Sequence, residues 1–206
     1  MKRELLLGCG FSREKRMGWP VDSWTKEFEN LYTLDNNPQC ESDLLCDLSV
    51  YDWTCIPFTE KAHDCLLNDD RIDTNFFHEI HAYEVLEHLG RQGDITSFFD
   101  TFHNIYRILV PDGLVFATCP SRYSGWLWGD PGHTRVIIPE TLSFLDQTNY
   151  EECGRTTRSD YRALWEGDFK CLYSSDAGRQ THAFVLQAIK PRRIVKTHTE
   201  KMRNMQ

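Results

Sequence analysis

Gly8-Cys9-Gly10 follows the apolar run Leu5-Leu6-Leu7 without a break. Glycines placed directly after a strand allow a tight turn and let a ligand approach the backbone. The spacing departs from the dinucleotide fingerprint, because Arg13 stands where its third glycine belongs. That counts against a nicotinamide or flavin cofactor. Asp35 ends a second apolar run, where a carboxylate can accept two hydrogen bonds from ribose hydroxyls. Its other reading is a turn former within Asp35-Asn36-Asn37-Pro38. Asp47 ends a third run and is placed to accept from an exocyclic amine. Tyr83-Glu84 ends a fourth. Beyond a fifth lies a stretch that combines Arg122, Trp126, Trp128, Asp130, His133 and Arg135. Aromatic rings in a loop can stack a planar acceptor. His133 can take a proton near neutral pH, and the two guanidiniums can fix a carboxylate or phosphate. The plainer reading packs both tryptophans under the loop and makes His133 a helix cap.

These residues need strands to hold them. Apolar runs over 4–7, 31–34, 42–46, 76–82 and 114–118 read as strands, each closed by a glycine, an acid or a turn cluster. Residues 95–109 read as a helix, with Ile95, Phe98, Phe99, Phe102, Ile105, Tyr106 and Leu109 on one face at 3.6-residue spacing. Shorter helices are expected over 24–30, with Ser23 as N-cap, and over 139–145, with Pro139 in its first turn. Residues 169–173 and 182–189 read as a final antiparallel pair, and 155–167, with Trp165, as a lid. Strands alternating with helices imply an α/β fold with a mainly parallel sheet. In such sheets ligands bind beyond the carboxyl ends of the strands.

The motifs as they stand are "LLLGCG", "LDNNP", "CDL", "EIHAYEVLEHL" and "RILVPDG". Through them the chain resembles the class I S-adenosylmethionine-dependent methyltransferases over about residues 3–120, and looks most like small members, some carried by phages. The resemblance implies a Rossmann-like, three-layer αβα fold with the sheet mostly parallel and a C-terminal antiparallel strand pair. It implies S-adenosyl-L-methionine as cofactor. Gly8, Cys9, Gly10 and Phe11 would wrap the methionine part, Asp35 would hold the ribose and Asn36 would lie beside the adenine. Asp47 and the Leu48 N–H would face the adenine ring, and Tyr83 and Glu84 the transferable methyl. Glu84 and His133 are the expected catalytic residues. Trp126, Trp128, Asp130, Arg122 and Arg135 are the expected acceptor contacts. His88 matches the histidine of "LEH" and is read as a packed or capping residue rather than a base. The chain departs from the pattern at Leu6, where many members carry an acid, and at Ser12, where a third glycine is usual.

The acceptor is expected to be a small molecule or nucleotide. The alternatives are a nucleic-acid methyltransferase and a non-catalytic module that only binds the cofactor. The 206 residues carry a net charge of −8, with 40% hydrophobic and 26% charged residues. That is ordinary globular composition, and the acidity argues against a general nucleic-acid coat. No apolar run approaches the roughly 18–20 residues needed to cross a bilayer, and Leu5-Leu6-Leu7 is too short for a signal peptide. Residues 190–206 hold six Lys/Arg and one Glu, so +5, which leaves −13 for the rest. The expected division is therefore a domain over 1–190 and a basic tail over 191–206, either frayed or a contact for anions. Eight cysteines without an export signal suggest reduced thiols in a cytoplasm. Neither the cysteines nor the eight histidines show a ligand spacing, so no metal is expected.

Overall fold

The structure is a computed structural model that describes residues 2–49, 53 and 72–203. Seven strands form one sheet: β1 (Glu4–Leu7), β2 (Leu31–Asp35), β3 (Leu44–Leu45), β4 (Phe77–Tyr83), β5 (Leu109–Pro120), β6 (Phe169–Ser175) and β7 (Thr181–Ala188). Their order is 3-2-1-4-5-7-6. The first five run parallel, and β7 is antiparallel to both β5 and β6. The Pro111–Gly113 turn sits inside β5 as a bulge, where the register with β4 jumps from Phe77↔Leu109 to Glu79↔Leu114. Asp112 takes a left-handed φ of 62° there.

Helix α1 (Ile95–Ile108) starts at Asp94, whose side chain accepts the Ser97 N–H at 3.1 Å. It buries Phe98, Phe99, Phe102, Ile105 and Ile108 in the main core with Leu5, Leu7, Ile80 and Val115. Ile95 stays outside and Tyr106 is half-buried, its hydroxyl donating to Ile189 O at 2.6 Å. Trp165 is fully buried against Phe99 and Phe169, and its indole N–H donates to Leu145 O. It is therefore a core residue and not part of a lid. The other α-helices among the described residues are short: α2 (Trp126–Gly129), α3 (Pro139–Leu142) and α4 (His198–Arg203).

On the other face of β1 and β4 the described cover is irregular. Residues 11–30 contain no helix, and the helix expected over 24–30 does not form. The face beneath them is charged. Strand alternation points Glu4, Glu79, His81 and Tyr83 to one side. Buried Lys15 reaches Glu4 at 2.5 Å and Glu79 at 3.3 Å, and Lys2 reaches Glu79 at 2.5 Å. The second Glu4 oxygen accepts the Glu29 N–H at 2.6 Å, and Phe28 packs edge-on to His81. The ammonium and these backbone bonds settle the segment as an irregular cover. Its short run has too little intrinsic helicity to resist. Burial pushes Glu79 upward, but hydrogen bonds from His81, Glu4 and Lys2 outweigh it and hold the carboxyl well below its usual range. Burial lowers the His81 pKa against the opposing pull of Glu79.

The basic tail is docked rather than frayed over the described residues. Arg193 pairs with Asp168 at 2.7 Å and Asp146 at 2.8 Å, Glu200 with Arg162, and Lys201 with Glu151. Among the described residues no helix is long and apolar enough to cross a membrane. The cysteines described are free thiols; Cys55 and Cys65 lie outside the described residues.

Candidate functional site

A cavity of about 340 Å³ opens beyond the carboxyl ends of β1, β2 and β4. Gly8 forms one wall with φ +56°, and a Cβ there would lie 2.5 Å from Val85 Cγ2. Only glycine fits both the backbone and the space. The turn is pinned to β2 twice. The Cys9 N–H donates to Leu34 O at 3.2 Å, and the Gly10 N–H to Asp35 Oδ2 at 2.7 Å. Asp35 Oδ1 accepts the Asn37 N–H at 2.9 Å. Each carboxylate oxygen keeps acceptor capacity for a second donor. Asn36, Asp47 and Leu48 line the far side. Asp47 Oδ1 accepts the Ser49 N–H at 2.9 Å, and that bond lowers the Asp47 pKa.

At the exit of β4, Glu84 is exposed, lines the cavity and holds a left-handed φ of 58°. Such a conformation costs a non-glycine residue about 1–3 kcal/mol and collects at working sites. Its N–H donates to Thr118 O at 2.8 Å, which ties the exit to β5. The chain then makes a 3-10 turn, Leu86–His88. Glu87 in this turn is 0% exposed. Burial, helped by the nearby Glu84 charge, pushes its carboxyl up to about 8.

The loop after β5 is fastened to that turn, because Thr134 and Arg135 donate their N–H groups to Glu87 O at 2.9 and 3.0 Å. His88 Nδ1 lies 2.9 Å from Gly132 O and His133 Nδ1 2.8 Å from Trp126 O, and the two rings meet edge to face. Asp130 caps the local turn through the Gly132 N–H, with its second oxygen 3.9 Å from His133 Nε2. Trp126 and Trp128 are 66% and 75% exposed, while Leu127 between them is buried. Leucine, not tryptophan, anchors the loop, so the packed reading of the tryptophans is overturned.

Several expected site residues go elsewhere. Tyr83 points to the opposite face, where its hydroxyl accepts from the Arg16 and Met17 N–H groups at 3.1 Å and meets His81 Nδ1 at 2.7 Å. It fastens the 11–30 cover rather than lining the cavity. Cys9 packs on that face with Leu6 and Cys40. Phe11 is 78% exposed and does not line the cavity. Arg135 is 7% exposed. Its guanidinium donates to Leu89 O, Asp94 O and Ser97 Oγ, so it staples the start of α1 instead of meeting an acceptor. Arg122 grips the Glu140 carboxylate with two bonds and stands 3.5 Å from Asp176. Two residues outside the expected set belong here. His88 lines the cavity, and Glu87 lies buried beneath it.

No family model and no curated protein matches the sequence. Solved structures do resemble it. A SAM-dependent methyltransferase from Archaeoglobus fulgidus is 16% identical, with 90% of this chain and 86% of that one covered at a TM-score of 0.50. The 1,6-didemethyltoxoflavin-N1-methyltransferase of Burkholderia thailandensis, solved with bound 1,6-didemethyltoxoflavin and S-adenosylhomocysteine, is 13% identical. It covers 91% of this chain and 71% of its own at a TM-score of 0.51. At such identity the likeness concerns the fold. The fold is the Rossmann-like one of these methyltransferases, with the sheet expected from the sequence. The narrower likeness to phage-borne members has no support from them.

Proposed function

We propose that the chain is an S-adenosylmethionine-dependent methyltransferase acting on a small planar molecule or a nucleotide. One observation carries this reading: Asp35 ends β2 on the cavity wall while gripping the Gly10 N–H, beside a Gly8 that admits no side chain. The cavity suits the cofactor. Asp35 offers acceptors to the ribose, Asn36 and Asp47 stand where the adenine edge would lie, and Leu48 supplies an apolar surface. The cofactor, when bound, supplies an electrophilic methyl group on a sulfonium. The chain's own residues orient it, exclude water and take up a proton where the acceptor carries one. Glu84, on the cavity wall, is the group we assign to that proton. Trp126 and Trp128 offer faces for stacking a planar acceptor. Nucleic acid is the weaker reading, since much of the tail's positive charge is paired with the body. The free thiols fit a reducing compartment.

The test follows label from the methyl of S-adenosylmethionine into separate pools of small molecules, nucleotides, RNA and DNA. Label in a low-molecular-weight product, lost in Glu84→Gln with cofactor affinity intact, supports the reading. Cofactor binding without label in any pool removes the enzyme and leaves a binding module.

A further inference from the structure

We propose that Glu87, His88 and His133 form a site for one divalent transition-metal ion, of the zinc class, at the acceptor end of the cavity. One ligand atom from each of the three lies within 4.8 Å of the others. Around a tetrahedral ion with N and O donors at about 2.0–2.1 Å, donors stand about 3.3 Å apart. Closing the trio therefore needs donor separations to shorten by up to about 1.5 Å, and the exposed side chain of His88 has room to move.

Glu87 is the observation that asks for a cation. Both of its carboxylate oxygens are buried without a hydrogen bond of ordinary geometry. Its neighbours are the Cys119 thiol and the Glu84 carboxylate, and the latter adds negative charge rather than offsetting it. Among the described residues it has no ion pair, whereas Glu79, also buried, holds two ammonium groups. A buried carboxyl either keeps its proton or, once charged, is paired or on a metal, and an ion arriving here would displace that proton.

The histidines are set for ligation. Each offers Nδ1 to a backbone carbonyl, Gly132 O or Trp126 O. With Nδ1–H donating, Nε2 carries the lone pair, and a carbonyl on the other ring nitrogen is how ligating histidines are oriented. The two bonds from residues 134 and 135 to Glu87 O hold both halves of the trio together before any ion arrives. Two imidazoles and one carboxylate suit zinc or cobalt better than magnesium or calcium. Three protein ligands leave a position open toward the cavity. The other trio, Glu4, Glu79 and His81, already holds the Lys15 ammonium and is no candidate. The site stands without the methyltransferase reading, but its use does rest on it. There the open position would take an acceptor oxygen or nitrogen, and His133 would be a ligand rather than a base.

The experiment strips the full chain with a chelator and titrates it with Zn²⁺ by calorimetry and with Co²⁺ by visible absorption. S-adenosylhomocysteine binding is measured on the same samples. The expected result is one ion per chain, with affinity about tenfold or more weaker in Glu87→Gln and in His133→Ala, and unchanged in His198→Ala. Glu87→Gln keeps the side chain's shape, and retained S-adenosylhomocysteine binding shows that a variant has folded. A chain that binds S-adenosylhomocysteine but neither ion overturns the site and leaves the methyltransferase reading standing. Ion binding that Glu87→Gln and His133→Ala leave unchanged also overturns it. Binding of the ion without S-adenosylhomocysteine keeps the site and overturns the methyltransferase reading.

Discussion

Gly8→Ala would put a methyl group into the turn that forms the cavity wall. The new Cβ would stand 2.5 Å from Val85 Cγ2 and 3.3 Å from Cγ1. Carbon pairs rest at about 3.5–4.0 Å, so Val85 or the turn must shift. Overpacking of this kind costs about 1–3 kcal/mol. The backbone also holds φ at +56°, which costs an L-residue about 1–2 kcal/mol. Together they give a loss of about 2–5 kcal/mol, a fall in Tm of roughly 5–20 °C for a domain of this size. The two contributions can be separated. Val85→Ala in the same chain removes the obstructing methyls and leaves the φ cost, so the pair should couple by about 1–3 kcal/mol in a double-mutant cycle. Urea unfolding followed by circular dichroism measures all four chains. A Gly8→Ala variant that melts within a degree of wild type, or a cycle with no coupling, would refute the packing of this turn on Val85.

Lys15→Met leaves two buried carboxylates without their shared ammonium and should cost about 3 kcal/mol or more; Glu4→Gln added to it should restore part of the loss. A loss below 1 kcal/mol by urea unfolding would mean the cluster is solvated. Buried His182 is held below its usual pKa by burial, against the pull of Asp176 and Glu140 and with the push of Arg122. As pH falls through the unfolded value near 6.5, the unfolded chain takes up the proton first, so stability falls with it, by up to about 1.4 kcal/mol per unit for this group. Glu87, raised to about 8, works in the opposite sense between its unfolded and folded values. The measurement is therefore the difference in slope between wild type and His182→Asn from pH 7.5 to 5.5. Equal slopes would show that His182 titrates alike in both states.

The sheet was legible because its signals are local. Period-3.6 phenylalanines mark α1, and apolar runs closed by Gly8, Asp35, Asp47 and Glu84 mark strands and cavity together. Tyr83 was misplaced although its signal was present. Alternation along β4 groups it with Glu79 and His81, on the face away from Gly8's cavity. Residues 24–30 failed as a helix for a reason no window can see, namely the capture of the Glu29 N–H by Glu4, which is 25 positions away. Arg135 reads as a ligand-binding cation until the carbonyls of Leu89 and Asp94 surround it. The meeting of Glu87 and His88 with His133 depends on the loop after β5 folding back over the 3-10 turn, and no spacing rule spans that interval. Exposure of Trp126 and Trp128 likewise needed the structure, since it is Leu127 that turns inward.

The central claim is that the cavity beyond β1, β2 and β4 takes S-adenosylmethionine. Thermal unfolding of the full chain with and without S-adenosylmethionine or S-adenosylhomocysteine tests it most directly. At 100 times the dissociation constant, binding should stabilise the fold by about 2.7 kcal/mol, or roughly 5–10 °C. The shift should shrink in Asp47→Ala and vanish in Asp35→Ala. A folded wild-type chain whose melting does not move at millimolar cofactor would contradict it.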